Sequence, residues 1–140
     1  MSTNGAAAAG VLICDDNEAV RALVGLIVDR AAGLTVVGEA ADGNEAIVEA
    51  TRLQPDVIML DLAMPKLSGL EAIPALRRIA PRAQIIVFSG FATASVAAQV
   101  LSLGAVSYLE KGANPDTIVA TIERALADAA GLSESMTQSA

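Results

Sequence analysis

The chain predicts an α/β domain built on a doubly wound, five-stranded parallel sheet with helices on both faces. Three observations carry this. Strand-like and helix-like segments alternate five times along the 140 residues. The strand-like runs, such as Val57-Ile58-Met59-Leu60, are short and continuously apolar, as strands buried on both faces must be. The polar residues able to carry chemistry fall where those runs end, and open parallel sheets bind ligands at the carboxyl ends of their strands.

The elements follow in order. Val11–Cys14 reads as a first strand. Asn17 caps a helix with an apolar face of Val20, Leu23, Val24, Ile27, Val28 and Ala31 at three- and four-residue spacing, and Gly33 ends it. Leu34–Ala40 is a second strand and Asp42-Gly43 a turn. A helix over Asn44–Leu53 and the Val57–Leu60 strand come next. Ser68-Gly69-Leu70-Glu71 has the spacing of a capping box, with Pro74 placed to kink the helix it opens or to delay its start. Gln84–Phe88, Ala92–Leu103 and Val106–Leu109 read as strand, helix and strand. Asn114-Pro115 opens a last helix that runs to about Ala130, where Gly131 suits its end.

Composition narrows the function. The length suits one hydrophobic core, and 54% of the residues are apolar. We expect a flexible leader over residues 1–9, a domain over residues 10–131 and a flexible tail over residues 132–140. No apolar run approaches a bilayer span, and the first ten residues have no basic charge, so neither a membrane span nor a signal peptide is expected. A formal charge of −7 argues against nucleic-acid binding or an anionic membrane surface. Cys14 is the single cysteine, which excludes an internal disulfide and fits a reducing cytoplasm. Its simplest reading is a small buried side chain. The chain has no histidine, which excludes Ser-His-Asp and Cys-His catalysis and any internal phosphohistidine.

Five positions remain for chemistry: Asp15, Asp16, Asp61, Ser89 and Lys111, each at the end of an apolar strand run. Lys111 is one of only two lysines, and the other, Lys66, reads as an exposed loop cation. Mg²⁺ wants hard oxygen ligands, with Mn²⁺ as an alternative, and Asp15, Asp16, Asp61 and the backbone carbonyl of Ala63 could supply them. Three carboxylates so close would repel one another without a cation. An aspartate can act as nucleophile toward phosphorus, and catalysis of such a transfer is mainly positioning and charge neutralisation.

Cys14-Asp15-Asp16-Asn17, Asp61-Leu62-Ala63-Met64-Pro65, Ser89-Gly90 and Tyr108-Leu109-Glu110-Lys111 occur in this order at the predicted strand ends. Together they resemble the response-regulator receiver domains of bacterial two-component signalling, over roughly residues 10–130. The resemblance implies the (βα)5 flavodoxin-like fold with strand order 2-1-3-4-5. It implies that Asp61 is the phosphoacceptor, that Asp15 and Asp16 hold Mg²⁺, and that Lys111 contacts the phosphoryl group. Ser89 would hydrogen-bond to that group after transfer, Gly90 would leave it room, and Tyr108 would be the aromatic that turns inward when Ser89 moves. Ala63 and Phe91 would tune hydrolysis; both are apolar, so a long-lived phosphorylated state is expected. The donor would be a sensor histidine kinase or a phosphotransfer protein. The chain would be a signalling receiver that assists its own phosphorylation and dephosphorylation, not an enzyme acting on other substrates.

The Gly38–Gly43 stretch and a lysine followed by Gly112, where most receivers have proline, resemble receivers of NarL-type transcription factors. Such factors have a DNA-binding domain after the receiver, and the residues following the last helix here are too few for one. Other readings stay open: a receiver portion of a longer NarL-type regulator, a docking pseudo-receiver that is never phosphorylated, or an aspartyl-phosphate phosphohydrolase. The last would need a second aspartate where Ala63 stands. Residues 83–109 contain no charged side chain. The resemblance places partner docking on the face of the fourth helix, fifth strand and fifth helix, so this neutral face reads as a surface for a protein effector or for self-association. Small Ala, Ser and Thr side chains making a merely neutral surface is the competing reading, as a plain core aromatic is for Tyr108.

Overall fold

The computed structural model describes residues 7–90 and 93–138. Five parallel strands, β1 (Ala9–Cys14), β2 (Leu34–Ala40), β3 (Val57–Leu60), β4 (Gln84–Ser89) and β5 (Ser107–Glu110), form one sheet in the order β2-β1-β3-β4-β5. Five helices alternate with them: α1 (Glu18–Arg30), α2 (Gly43–Leu53), α3 (Gly69–Ile79), α4 (Ala94–Leu103) and α5 (Pro115–Gln138). The predicted class, strand count and strand order all hold.

The inner strands β1, β3 and β4 read as nearly unbroken apolar runs because both faces of the sheet are covered there, whereas the edge strands β2 and β5 are partly exposed. On β1, Leu12 and Cys14 join one core with Ile58, Leu60, Ile85 and Val87, which is closed by Ala46, Ala50, Ile73, Leu76 and Val100 of α2, α3 and α4. Val11 and Ile13 face the other way and join Val57, Met59, Ile86 and Phe88 under Val24 and Val28 of α1 and Ile118 and Ile122 of α5. The chain winds outward to β2 and then back past β1 to β3. The switch point therefore lies between β1 and β3, with Cys14 in register with Leu60. The residues that follow those two are Asp15 and Asp61.

Several boundaries differ from expectation. β1 begins at Ala9, inside the expected leader, because Ala9 donates its N–H to the Gly33 carbonyl at 2.8 Å and pairs with Leu34. Asp42-Gly43 is no free turn: Asp42 caps α2 by accepting from the Glu45 N–H, and Gly43 is already helical. α1 ends at Arg30, and Gly33, at φ +84°, forms the turn into β2 instead. The Ser68–Glu71 capping box is present, and α3 starts at Gly69 without delay and continues through Pro74. Thr93 caps α4, which starts at Ala94 rather than Ala92; Ala92 lies outside the described residues. α5 passes Gly131 and extends to Gln138, where a tail was expected. On α1, Val24 and Val28 are buried, whereas Leu23 is 59% exposed, so the buried stripe is narrower than the apolar one. Among the described residues, no helix is long and apolar enough to cross a membrane.

Candidate functional site

β1 hands the chain to Asp15 in a fixed orientation. The Asp15 N–H donates to the Ala40 carbonyl of β2 at 2.9 Å, and its carboxylate Oδ1 accepts from the Asn17 N–H at 2.9 Å. Asn17 in turn caps α1, accepting from the N–H groups of Ala19 and Val20. β3 delivers Asp61 alongside: its N–H donates to the Cys14 carbonyl at 2.9 Å, and its Oδ1 accepts from the Ala63 N–H at 3.3 Å. β4 ends on buried Ser89, and the Lys111 N–H donates to the Ser89 carbonyl at 2.9 Å. Lys111 thus starts two strands away from β3. Its long side chain returns over β4, placing Nζ 2.8 Å from Asp15 Oδ2 and 3.3 Å from Asp61 Oδ2.

The structure therefore brings Asp15, Asp16, Asp61, Ser89 and Lys111 to one end of the sheet. Asp15 and Asp61 are 1% and 3% exposed, and Asp16 forms an open rim. One carboxylate oxygen from each aspartate lies within 4.8 Å of the others. Burial, followed by the Asp15 charge, raises the Asp61 carboxyl above the ordinary carboxylate range, and Lys111 pulls against that rise. For Lys111, burial is the largest single influence and would lower its value. The contacts with Asp15 and Asp61 together outweigh it, and the ammonium is held above its ordinary value. Lys111 Nζ is shared between Asp15 Oδ2 and Asp61 Oδ2, and its contact with Asp15 is the shorter of the two. Three carboxylates gathered against the one Lys111 ammonium are a hard-oxygen donor set that fits a divalent metal ion.

Gly90 is exposed, and a side chain there would meet no atom within 4 Å. Tyr108 packs against the core shared by α2, α3 and α4, and its shielded hydroxyl has no partner among the described residues. Ala63 is exposed beside Asp61. Phe91 lies outside the described residues. Lys66 is exposed as expected, yet its backbone is left-handed at φ +65° and its ammonium lies 3.7 Å from the buried Asp42 carboxylate. Cys14 is buried, and burial, with Asp15 adding to it, pushes its thiol far above the ordinary range.

Two parts of the site escaped the sequence reading. A Cβ at Gly69 would collide with the Asp61 carbonyl oxygen, and the Gly69 N–H donates to the Leu62 carbonyl at 2.9 Å. This glycine lets the start of α3 press directly on the backbone of Asp61. A glycine at the first helical position was the available signal. Arg21 is the second: it reaches back from α1 to the Asp15 carbonyl, and nothing in its sequence position announces that.

A five-stranded sheet in this order, with acid residues at the β1–β3 switch point and a lysine after β5, defines a signalling receiver. Residues 11–123 match the response regulator receiver domain family, and the chain belongs to that family. It is similar to the nitrate/nitrite response regulator NarL of Escherichia coli K12, 36% identical over 129 residues, which cover 92% of this chain and 60% of that protein. It is also similar to the chemotaxis protein CheY of Thermotoga maritima, 32% identical over 114 residues, covering 81% of this chain and 94% of that one. Among solved structures, a LuxR-family two-component response regulator from Aurantimonas sp. SI85-9A1 superposes with a TM-score of 0.82 at 31% identity, covering 87% of each chain. The chain thus spans about 60% of NarL and nearly all of CheY.

Proposed function

We propose that this chain is a cytoplasmic phosphorylation switch in which Asp61 takes a phosphoryl group from a phosphohistidine on a partner kinase or phosphotransfer protein. The observation that carries the reading is the convergence of three carboxylates and the Lys111 ammonium at one strand-end position. An Asp61 carboxylate oxygen attacks phosphorus, the P–N bond to the donor imidazole breaks, and an acyl phosphate forms. Lys111 is already in contact with Asp61, so its charge stands ready for the phosphoryl oxygens. Asp15, Asp16, Asp61 and the Ala63 carbonyl would hold Mg²⁺, or Mn²⁺ in its place. When bound, that ion supplies the positive charge that neutralises the transferred oxygens.

After transfer, the Ser89 hydroxyl donates to a phosphoryl oxygen in the space beside Gly90, and Tyr108 follows Ser89 inward. A hydrogen bond to a charged oxygen contributes about 1.5–3 kcal/mol. A near-complete two-state switch takes about 5.5 kcal/mol, so Lys111, the metal or a bound effector completes the bias. The readout surface is the face of α4, β5 and α5. α4 carries no charge, and Leu101 and Val106 stand about half exposed there. A protein effector or a second copy docks on this face, and charged substitutions at Gln99 or Ser102 should abolish those complexes. With apolar side chains at Ala63 and Phe91, nothing at those positions orients a hydrolytic water, and the acyl phosphate is long-lived.

Intact mass spectrometry after incubation with MgCl₂ and acetyl phosphate tests the switch. One added phosphoryl group in the parent and none in Asp61→Asn is the expected result. A folded parent that gains nothing from acetyl phosphate or from kinase-bound phosphohistidine would favour a docking module that no longer switches.

A further inference from the structure

Arg21 lies in α1, yet its side chain is only 16% exposed because it folds back over the β1–α1 turn. Its Nη1 donates to the Asp15 backbone carbonyl at 2.6 Å, and its Nε donates to Glu39 Oε1 of β2 at 2.8 Å. A guanidinium presents donors in a rigid planar fork, so one side chain serves both acceptors without rearrangement. The Asp15 N–H is already held by the Ala40 carbonyl. Both backbone polar groups of Asp15 are therefore fixed, one by the sheet and one by Arg21. The peptide joining Asp15 to Asp16 is fixed with them. Asp16 is exposed and its carboxylate has no hydrogen bond or ion pair of its own among the described residues, so its aim toward Asp15 and Asp61 is inherited from that peptide.

We propose that Arg21 is a positioning residue for the divalent-cation site, acting through the Asp15–Asp16 peptide and anchored from behind by Glu39. This rests on the reading of Asp15, Asp16 and Asp61 as cation ligands. The alternative role for Arg21 is charge alone, and the two roles differ in sign. A nearby guanidinium repels a divalent cation, so removing a mere charge would tighten cation binding. Removing a positioning clamp weakens it, as loss of groups that orient metal ligands usually does, by about 10–100-fold.

The test is a MgCl₂ titration of the full chain followed through backbone amide NMR shifts, for the parent, Arg21→Ala and Arg21→Lys. Acetyl phosphate labelling rates across the same MgCl₂ range accompany it. We expect Arg21→Ala to bind Mg²⁺ about 10-fold or more weakly than the parent. Its labelling rate should approach the parent's at saturating MgCl₂. Arg21→Lys keeps the charge and most of the stem but reaches one acceptor at a time, so it should remain weakened, and it decides the matter if Arg21→Ala does not fold. Parent-like or tighter Mg²⁺ binding by the folded variants would overturn the assignment while leaving the cation site itself standing. A parent that binds no Mg²⁺ would remove the cation site and this inference with it.

Discussion

Replacing Asp61 by asparagine should stabilise the metal-free protein at neutral pH, although it removes the residue the proposed function depends on. Burial and the Asp15 charge raise the Asp61 carboxyl above the ordinary carboxylate range. A group that holds its proton more tightly in the folded state lowers stability as pH rises from its unfolded value to its folded one. That window opens near the ordinary aspartate value of 3.8 and closes at the raised folded value. Above it the full penalty is present, and below it the penalty vanishes. The Asp15 and Asp61 oxygens lie within 4.8 Å, which at an effective dielectric of about 20 is a repulsion of about 3.5 kcal/mol. Lys111 at 3.3 Å from Asp61 offsets this with about 5 kcal/mol on the same scale, reduced by its partial exposure. Desolvating the carboxylate adds a further cost of several kcal/mol. The raised Asp61 carboxyl sets the balance of these terms against the ionised form, so Asp61→Asn should raise the melting temperature by roughly a few degrees. Thermal unfolding followed by circular dichroism in a chelator, from about pH 4 to about pH 7, reads it directly, and the advantage of the variant should grow with pH. A variant that melts below the parent at neutral pH, or an advantage that shrinks as pH rises, would refute the electrostatic reasoning.

Other consequences are as direct. Lys111→Gln leaves two buried carboxylates without their shared cation and should lower metal-free stability by about 2–3 kcal/mol, measured by urea denaturation; added MgCl₂ should recover part of the loss. Gly69→Ala drives a methyl group into the Asp61 carbonyl, so it should cost about 1–3 kcal/mol and slow phosphoryl labelling, whereas Gly90→Ala meets open space and should leave the melting temperature within about 1 °C of the parent's. The Cys14 thiol, buried and raised far above its ordinary value, should resist iodoacetamide in the native protein and react fully in denaturant, as peptide mass mapping would record.

The inner strands were legible because burial on both faces imposes a nearly unbroken apolar run, and aspartates and a lysine at the strand ends marked the site. What was not legible depends on partners distant in the chain. Ala9 has weak strand propensity and becomes a strand because Leu34 and Gly33 offer it a partner. Gly131 reads as a stop, yet a glycine inside a helix costs only about 1 kcal/mol relative to alanine, and α5 continues through it. Leu23 shares the apolar periodicity of α1 but lies beyond the edge of the sheet-facing stripe set by Val24 and Val28. Arg21 acts on the backbone carbonyl of Asp15, for which side-chain pattern carries no signal, and the closeness of Gly69 to the Asp61 carbonyl was hinted at only by a glycine at the first helical position.

The central claim is that the phosphoryl group resides on Asp61. Labelling with MgCl₂ and acetyl phosphate, followed by borohydride reduction and tandem mass spectrometry, converts an aspartyl phosphate to homoserine and marks its position. Homoserine should appear at the Asp61 position alone, dependent on both MgCl₂ and Lys111. Reduction product at Asp15, Asp16 or any other carboxylate, with Asp61 intact, would contradict it.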